Sequence, residues 1–265
     1  LAARLPFLFI AGRWYGDVAL GRFAYAVLVV EFAAQISTLG LKRGLALQLT
    51  RTDNDRHGHA VWDALVVTLI LSAVTGAILA LVPRMMFPNS GIDGLDRLLP
   101  LIIFFIAGAD IALAALAYRR DVGATVRARA IVEPWTISIG AFAFAFYSTR
   151  DGLILAYVLS MVAAFVTAMI PLARSYGWPR GWTPHPGRLW GLAQRNAPLA
   201  AADAVEWGSR RIDIAILGLF FSPAIVGIYY VAQQVASLPQ KLKTSFDPIL
   251  GPVITAKLAE GDKAA

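Results

Sequence analysis

The stretch Trp207-Gly-Ser-Arg-Arg-Ile-Asp-Ile-Ala-Ile-Leu217 sets two adjacent arginines and an aspartate inside a largely apolar run from Pro198 to Phe221. A run of that length is about what crosses a bilayer, and a charge near the bilayer centre costs several kcal/mol unless it faces a bundle interior or a wet cavity. A guanidinium is a planar fork of donors that matches a phosphate or a carboxylate. On one continuous helix with Asp203 at zero, Glu206, Arg210 and Asp213 fall at about 300°, 340° and 280°, a single stripe, while Arg211 points elsewhere at about 80°. Two chemistries fit that stripe. Arg210 can be locked between Glu206 at i−4 and Asp213 at i+3 as a structural ion-pair ladder. Alternatively Arg210 and Arg211 receive an anionic group, a phosphate above all, with Asp203, Glu206 and Asp213 poising the arginines until the ligand competes for them.

Further charges interrupt the other apolar runs. Glu31 and Asp110 lie mid-way along theirs, and Arg127, Arg129 and Glu133 lie near the end of another. The economical expectation is one cavity that collects polar groups from several helices. For Arg127 and Arg129 the competing expectation is ordinary flanking charge that reaches back to the membrane surface. Asp53-Asn54-Asp55 has the D-x-D pattern of a metal and sugar-nucleotide site, but with no nucleotide-binding domain around it a solvated turn is expected. His57-x-His59 likewise reads as solvated, having no further ligand nearby. The sequence contains no Walker A, H-E-x-x-H or G-x-S-x-G pattern, which argues against ATP hydrolysis and these hydrolase chemistries.

The elements that must position these residues follow from composition. The 265 residues are 58% hydrophobic and 15% charged, with a mean hydropathy of +0.62, against roughly 25% charged residues in soluble domains. The absence of cysteine excludes disulfides, thiolate zinc sites and a cysteine nucleophile. Length and apolarity predict helices over Ala19–Leu39, Val61–Val82, Leu98–Ala117, Ala130–Tyr147, Leu153–Ala173, Pro198–Phe221 and Ile225–Leu242, with Leu1–Ala11 as the end of an earlier one. The net charge of +7 is dispersed in short clusters between these runs, so nucleic acid is not expected as a partner. With these spans, sixteen lysines and arginines fall on one side, Lys42 and Arg43 among them, and five on the other. The richer side is expected to be cytoplasmic. Trp62, Tyr118, Tyr147 and Trp178 fall near predicted helix ends, as an aromatic belt would. No loop is long enough to bury a soluble core, so the chemistry must lie within the membrane or at its surface.

Two stretches carry a family resemblance. Gly12-Arg-Trp-Tyr-Gly16, an apolar helix and Ser37-Thr-Leu-Gly-Leu41 resemble the first external loop and second helix of Wzx-type polysaccharide flippases, in the multidrug/oligosaccharidyl-lipid/polysaccharide exporter superfamily. More specific is Arg211-Ile-Asp213-Ile-Ala-Ile-Leu-Gly218, then Val226-Gly-Ile-Tyr-Tyr230, then Asp247-Pro248 through Gly251-Pro252 and Ala259-Glu-Gly-Asp262, which resembles that family's seventh and eighth helices and the stretch after them. An internal echo accompanies it. Gly21-Arg-Phe-Ala-Tyr-Ala26 and Gly227-Ile-Tyr-Tyr-Val-Ala232 share glycine, an aromatic two residues on and alanine five on.

The resemblance implies an all-α polytopic transmembrane helix bundle. Residues 1–195 would form a MATE-like six-helix lobe with a truncated first helix, and residues 196–265 the first two helices of a second lobe, as a fragment of a longer protein. It further implies a multi-pass protein of the bacterial inner membrane that moves polyprenyl-diphosphate-linked oligosaccharide from the inner to the outer leaflet, without enzymatic activity. No cofactor is expected beyond a coupling proton or sodium ion. Expected partners are the lipid-linked oligosaccharide, membrane lipids and other polysaccharide-assembly membrane proteins. The substrate-facing residues would be Arg210, Arg211, Asp213, Glu206, Asp203, Arg127, Arg129, Glu31 and Asp110. The competing functions are an ion-coupled multidrug exporter of the same superfamily, whose cavity should favour carboxylates, and an integral-membrane glycosyltransferase or polymerase, which needs a catalytic loop not found here.

Overall fold

A computed structural model describes residues 5–92, 94–178, 181–237 and 239. It is an all-α bundle. Among the described residues four helical stretches are long and apolar enough to cross a membrane: Leu5–Thr50, Asn54–Leu81, Gly94–Tyr118 and Gly152–Tyr176. Their apolar residues point outward as well as inward. Leu69, Ile70, Val74 and Ile78 of one helix and Leu159, Val166 and Ile170 of another are exposed, as expected where the surrounding solvent is lipid. Lipid gives helices no hydrophobic reason to associate, so close packing through small residues must hold them together. Ala107, Ala109, Ala112, Ala115, Ala156 and Ala168 are accordingly buried to about 1% exposure or less.

The chain begins with α1 (Leu5–Ile10), a π-helical turn over Ala11–Tyr15, and α2 (Gly16–Ser37). Gly16 sits at φ +81, a conformation that glycine adopts freely, and there the chain reverses. Phe7 and Phe23 consequently meet at 5.9 Å, whereas sixteen residues of straight helix would separate them by about 24 Å. After Gly40, at φ +66, α3 (Leu41–Thr50) turns back into the bundle. Its Leu41, Leu45 and Leu49 are fully buried. Then come α4 (His57–Leu81), α5 (Leu99–Tyr118), the short α6 (Val122–Thr125), a π-helical stretch over Val126–Val132, α7 (Glu133–Ala145) and α8 (Gly152–Tyr176). The predicted helices within this region are observed with ends shifted by a few residues. The exception is Ala130–Tyr147, which starts eight residues earlier, at Val122, and contains the π stretch.

The predicted single span Pro198–Phe221 is corrected. Helix α9 runs from Pro186 to Ser209, and α10 begins afresh at Ile212 and ends at Phe220. The break falls on Arg210 and Arg211. Gly208 and Ser209 precede it, and the Ser209 hydroxyl donates to the Val205 carbonyl at 2.7 Å, a back-bond that bends helices. The connection between the predicted helices Leu153–Ala173 and Pro198–Phe221 is therefore shorter, since α8 runs to Tyr176 and α9 starts at Pro186. Finally α11 (Pro223–Ala236) completes the described chain. Residues 238 and 240–242 of that predicted helix, and the resemblance from Asp247 to Asp262, lie outside the described residues.

The internal echo has a geometric counterpart. A Cβ on Gly21 would lie 1.7 Å from the Pro223 carbonyl oxygen, and one on Gly227 would lie 2.1 Å from the Asp17 carbonyl oxygen. Each glycine thus meets the backbone four residues before the other. Asp17 and Pro223 stand at the same offset as Gly21 and Gly227, so the contact is reciprocal, the signature of a two-fold relation. The register extends beyond the six echoed residues, since Gly12, Trp14 and Tyr15 correspond to Gly218, Phe220 and Phe221. The α1–α2 and α10–α11 hairpins are two copies of one motif, crossed at their glycines.

Candidate functional site

Beyond the α2–α11 crossing, about ten residues further along α2, the bundle interior opens into two adjoining cavities. The first, about 240 Å³, is lined by Glu31 and Gln35 of α2, Lys42 of α3, Asp110 of α5, Arg129, Glu133, Tyr157, Trp207 and Arg211. The second, about 220 Å³, shares Gln35, Lys42 and Trp207 and adds Arg43, Asp203, Glu206 and Arg210.

Local structure explains each placement. The π-helical stretch widens the backbone around Arg129, which bonds both Asp110 and, at 2.8 Å, Glu133. π turns of this kind frequently mark functional sites. Asp110 also takes the Lys42 ammonium at 2.5 Å, and Lys42 donates to Gln35 at 2.8 Å. Glu31 accepts from the Tyr157 hydroxyl at 3.0 Å and faces Arg211 at 3.7 Å. Arg211 lies with its guanidinium carbon 5.5 Å from the Trp207 ring centre, and Trp207 is braced by Phe32 at 5.5 Å. A cation over an indole is attracted by the ring quadrupole, so Trp207 holds Arg211 at the cavity wall.

The second cavity depends on a close crossing of α3 and α9. Gly40 and Gly44 form a G-x-x-x-G pair at the start of α3. A Cβ on Gly40 would lie 2.6 Å from the Ala200 backbone nitrogen, and one on Gly44 would lie 1.7 Å from the Asn196 side-chain oxygen. Backbones that approach this closely bring Arg43 to Glu206 at 2.7 Å and to Asp203 at 3.2 Å. Glu206 also pairs with Arg210 at 2.8 Å. Asp203 is 5% exposed, and neither of its carboxylate oxygens has a hydrogen-bond partner; the Arg43 contact is an ion pair without hydrogen-bond alignment.

Of the nine residues singled out from sequence, Glu31, Asp110, Arg129 and Arg211 line the first cavity and Asp203, Glu206 and Arg210 the second. Two lie elsewhere. Arg127 is more than half exposed and pairs with Asp121 at 3.8 Å. Asp213 is drawn to α11, where it accepts from the Tyr229 hydroxyl and the Gln233 amide, both at 2.6 Å. The expected ladder is thus half correct: Glu206 holds Arg210, but Asp213 does not, because the break at Arg210–Arg211 ends the continuous 100° spacing that the stripe assumed. Sequence reasoning missed Lys42 and Arg43, which it assigned to a cytoplasmic loop, and the uncharged Gln35, Tyr157 and Trp207. The signal for the first two was Leu41, Leu45 and Leu49 at helical spacing, one apolar face of a helix that carries both cations.

The weaker patterns resolve simply. Asp53-Asn54-Asp55 is an exposed turn. His57 is buried rather than solvated, with its Nε2 3.0 Å from the Thr52 carbonyl oxygen and its ring 5.6 Å from Tyr118. Among the described residues no group of three or more His, Asp or Glu side chains is placed to hold a metal ion.

A polytopic helix bundle with an interior cavity lined by cations and carboxylates defines a multi-pass membrane protein. A family model for polysaccharide biosynthesis proteins matches residues 16–264, and the chain belongs to that family, with a role in polysaccharide biosynthesis. No curated protein and no solved structure matches it.

Proposed function

We propose that the chain forms part of a flippase that carries a diphosphate-linked lipid glycan from the cytoplasmic to the outer leaflet of a bacterial inner membrane. The observation that carries this reading is the joined cavity, where Lys42, Arg43, Arg129, Arg210 and Arg211 face a common space within a membrane bundle. Guanidinium forks and an ammonium in a partly desolvated site suit a diphosphate, and the polar walls suit sugar hydroxyls. Membership in a polysaccharide biosynthesis family supplies the pathway. An uneven distribution of lysine and arginine about the spans favours the cavity's Lys42–Arg43 end facing the cytoplasm.

The test uses the full-length gene in its host. Arg43 and Arg211 are replaced together by alanine, expression is confirmed, and lipid-linked oligosaccharide is measured on each leaflet. Accumulation on the cytoplasmic leaflet, at least tenfold over wild type, is expected. A distribution unchanged both in this variant and in a deletion strain rejects flipping and directs attention to efflux of cationic drugs.

A further inference from the structure

The charged groups of the two adjoining cavities are not held alike. In the second cavity the Arg43 and Arg210 side chains are 58% and 75% exposed, and both reach Glu206, itself nearly half exposed. Guanidinium groups so loosely housed can turn toward a ligand. In the first cavity Lys42 and Arg129 share Asp110, and Arg129 also holds Glu133. The side chains of this quartet are between 7% and 32% exposed. To receive an anion, either cation would have to leave a carboxylate unpaired inside the bundle, which is costly.

Counted by charge, the first cavity is even: Lys42, Arg129 and Arg211 stand against Glu31, Asp110 and Glu133. A diphosphate drawn to Arg43 and Arg210 therefore finds no surplus cation in the first cavity for a second anionic group. What that cavity does offer is hydrogen bonding in both directions. Glu31 and Gln35 lie one turn apart on the same face of α2. One carboxylate oxygen of Glu31 accepts from the Tyr157 hydroxyl at 3.0 Å, and the other lies 3.7 Å from Arg211, beyond hydrogen-bond reach. That second oxygen accepts from no group among the described residues. Gln35 takes the Lys42 ammonium on its amide oxygen, and its amide nitrogen donates to no group among the described residues. An acceptor and a donor thus stand side by side on the wall. A sugar hydroxyl both donates and accepts, so it satisfies either. A sugar carboxylate only accepts, and beside Glu31 it meets a like charge at short range in a poorly solvated place. Arg211 cannot neutralise both.

We propose that the first cavity is a glycan subsite that takes an uncharged, hydroxyl-bearing sugar and turns away a uronic acid, with Glu31 as the residue that sets the selectivity and Gln35 as a hydroxyl donor. The proposal rests on the reading of the joined cavity as a diphosphate site and deepens it by naming the sugar class. A lipid-linked glycan carries its first sugar directly on the diphosphate. Gln35, Lys42 and Trp207 line both cavities, so a single ligand can place its diphosphate in the second and that sugar in the first.

The experiment is calorimetric titration of the full-length protein, reconstituted in lipid nanodiscs, with three ligands: farnesyl diphosphate, farnesyl diphosphate-linked glucose, and farnesyl diphosphate-linked glucuronic acid. The last two differ only in a carboxylate at C6 of the sugar. Wild type is expected to bind the glucuronic acid conjugate about tenfold more weakly than the glucose conjugate, a difference of about 1.4 kcal/mol. In Glu31→Gln, which keeps size and hydrogen bonding and removes the charge, the two conjugates are expected to bind alike. Gln35→Leu, a second variant that serves if Glu31→Gln does not fold, is expected to weaken the glucose conjugate severalfold and to leave farnesyl diphosphate unchanged. If wild type binds the glucuronic acid conjugate as tightly as the glucose conjugate, or if the gap persists in Glu31→Gln, the selectivity is overturned and the diphosphate site stands. Binding of farnesyl diphosphate but of neither conjugate likewise overturns the glycan subsite alone. No binding of any of the three overturns the diphosphate reading and this proposal with it.

Discussion

At the scale of single residues, the charges that looked alike in sequence have different work. Arg210 and Arg211 are neighbours, yet one pairs with Glu206 in one cavity and the other faces Glu31 across the next, steadied by Trp207. Asp213 lies two residues on and lines neither cavity. Its carboxylate instead ties α10 to α11 through Tyr229 and Gln233. The expected outcome of Asp213→Ala is a loss of stability of about 1 kcal/mol, since hydrogen bonds between membrane helices are worth roughly that much, with unchanged affinity for farnesyl diphosphate. Thermal unfolding of the purified variant, followed beside its titration, checks both halves. A variant of wild-type stability that no longer binds would return Asp213 to the site.

At the scale of elements, what could be read from the sequence was what depends on length and apolarity. The spans of α2, α4, α5 and α8 are set by runs of apolar residues matched to bilayer thickness, and nothing in the packing overrides them. The features that shape the cavity are short-range backbone events that hydropathy does not register. Gly208 and Ser209 let α9 stop just before Arg210, while the π turn carries Arg129 inward and leaves Arg127 outside. Lys42 and Arg43 were legible as charges but not as cavity residues, because their fate is decided by Gly40 and Gly44, which let α3 turn back against α9. That contact is testable by itself. In Gly44→Leu the added side chain meets Asn196, whose oxygen would lie 1.7 Å from the first added carbon. The Asn196 and Leu199 side chains must give way, and a displacement of α9 with them would cost Arg43 its hold on Asp203 and Glu206. A fall of at least tenfold in affinity for farnesyl diphosphate is expected, with circular dichroism still reporting a helical protein; unchanged affinity would show that the crossing does not set the cavity.

At the scale of the molecule, the reciprocal contact of Gly21 and Gly227 lies at one end of the cavity, and Asn89 reinforces it by donating to the carbonyls of Gly218 and Phe221 at 2.9 and 3.1 Å. Arg22 fastens the same region to Asp96 at 2.9 Å. Two hairpins related by a two-fold and crossed at glycines make a seam at one end of the bundle, and the paired charges lie further along α2. On the proposed flipping function, cargo released at that end has to part this seam, and the two glycines allow a closed seam by permitting backbone contact that any Cβ would prevent. Gly227→Leu should therefore hold the seam apart. Because the native chain has no cysteine, one placed at Gln35, which lines both cavities, reports access cleanly. In the native background it is expected to react with a membrane-impermeant thiol reagent from the cytoplasmic side, and in the Gly227→Leu background from the outer side as well, with transport lost. Labelling from the outer side that stays absent despite the wedge would mean that the α2–α11 crossing is a fixed structural joint, and the route across the membrane would then have to be sought between other helices.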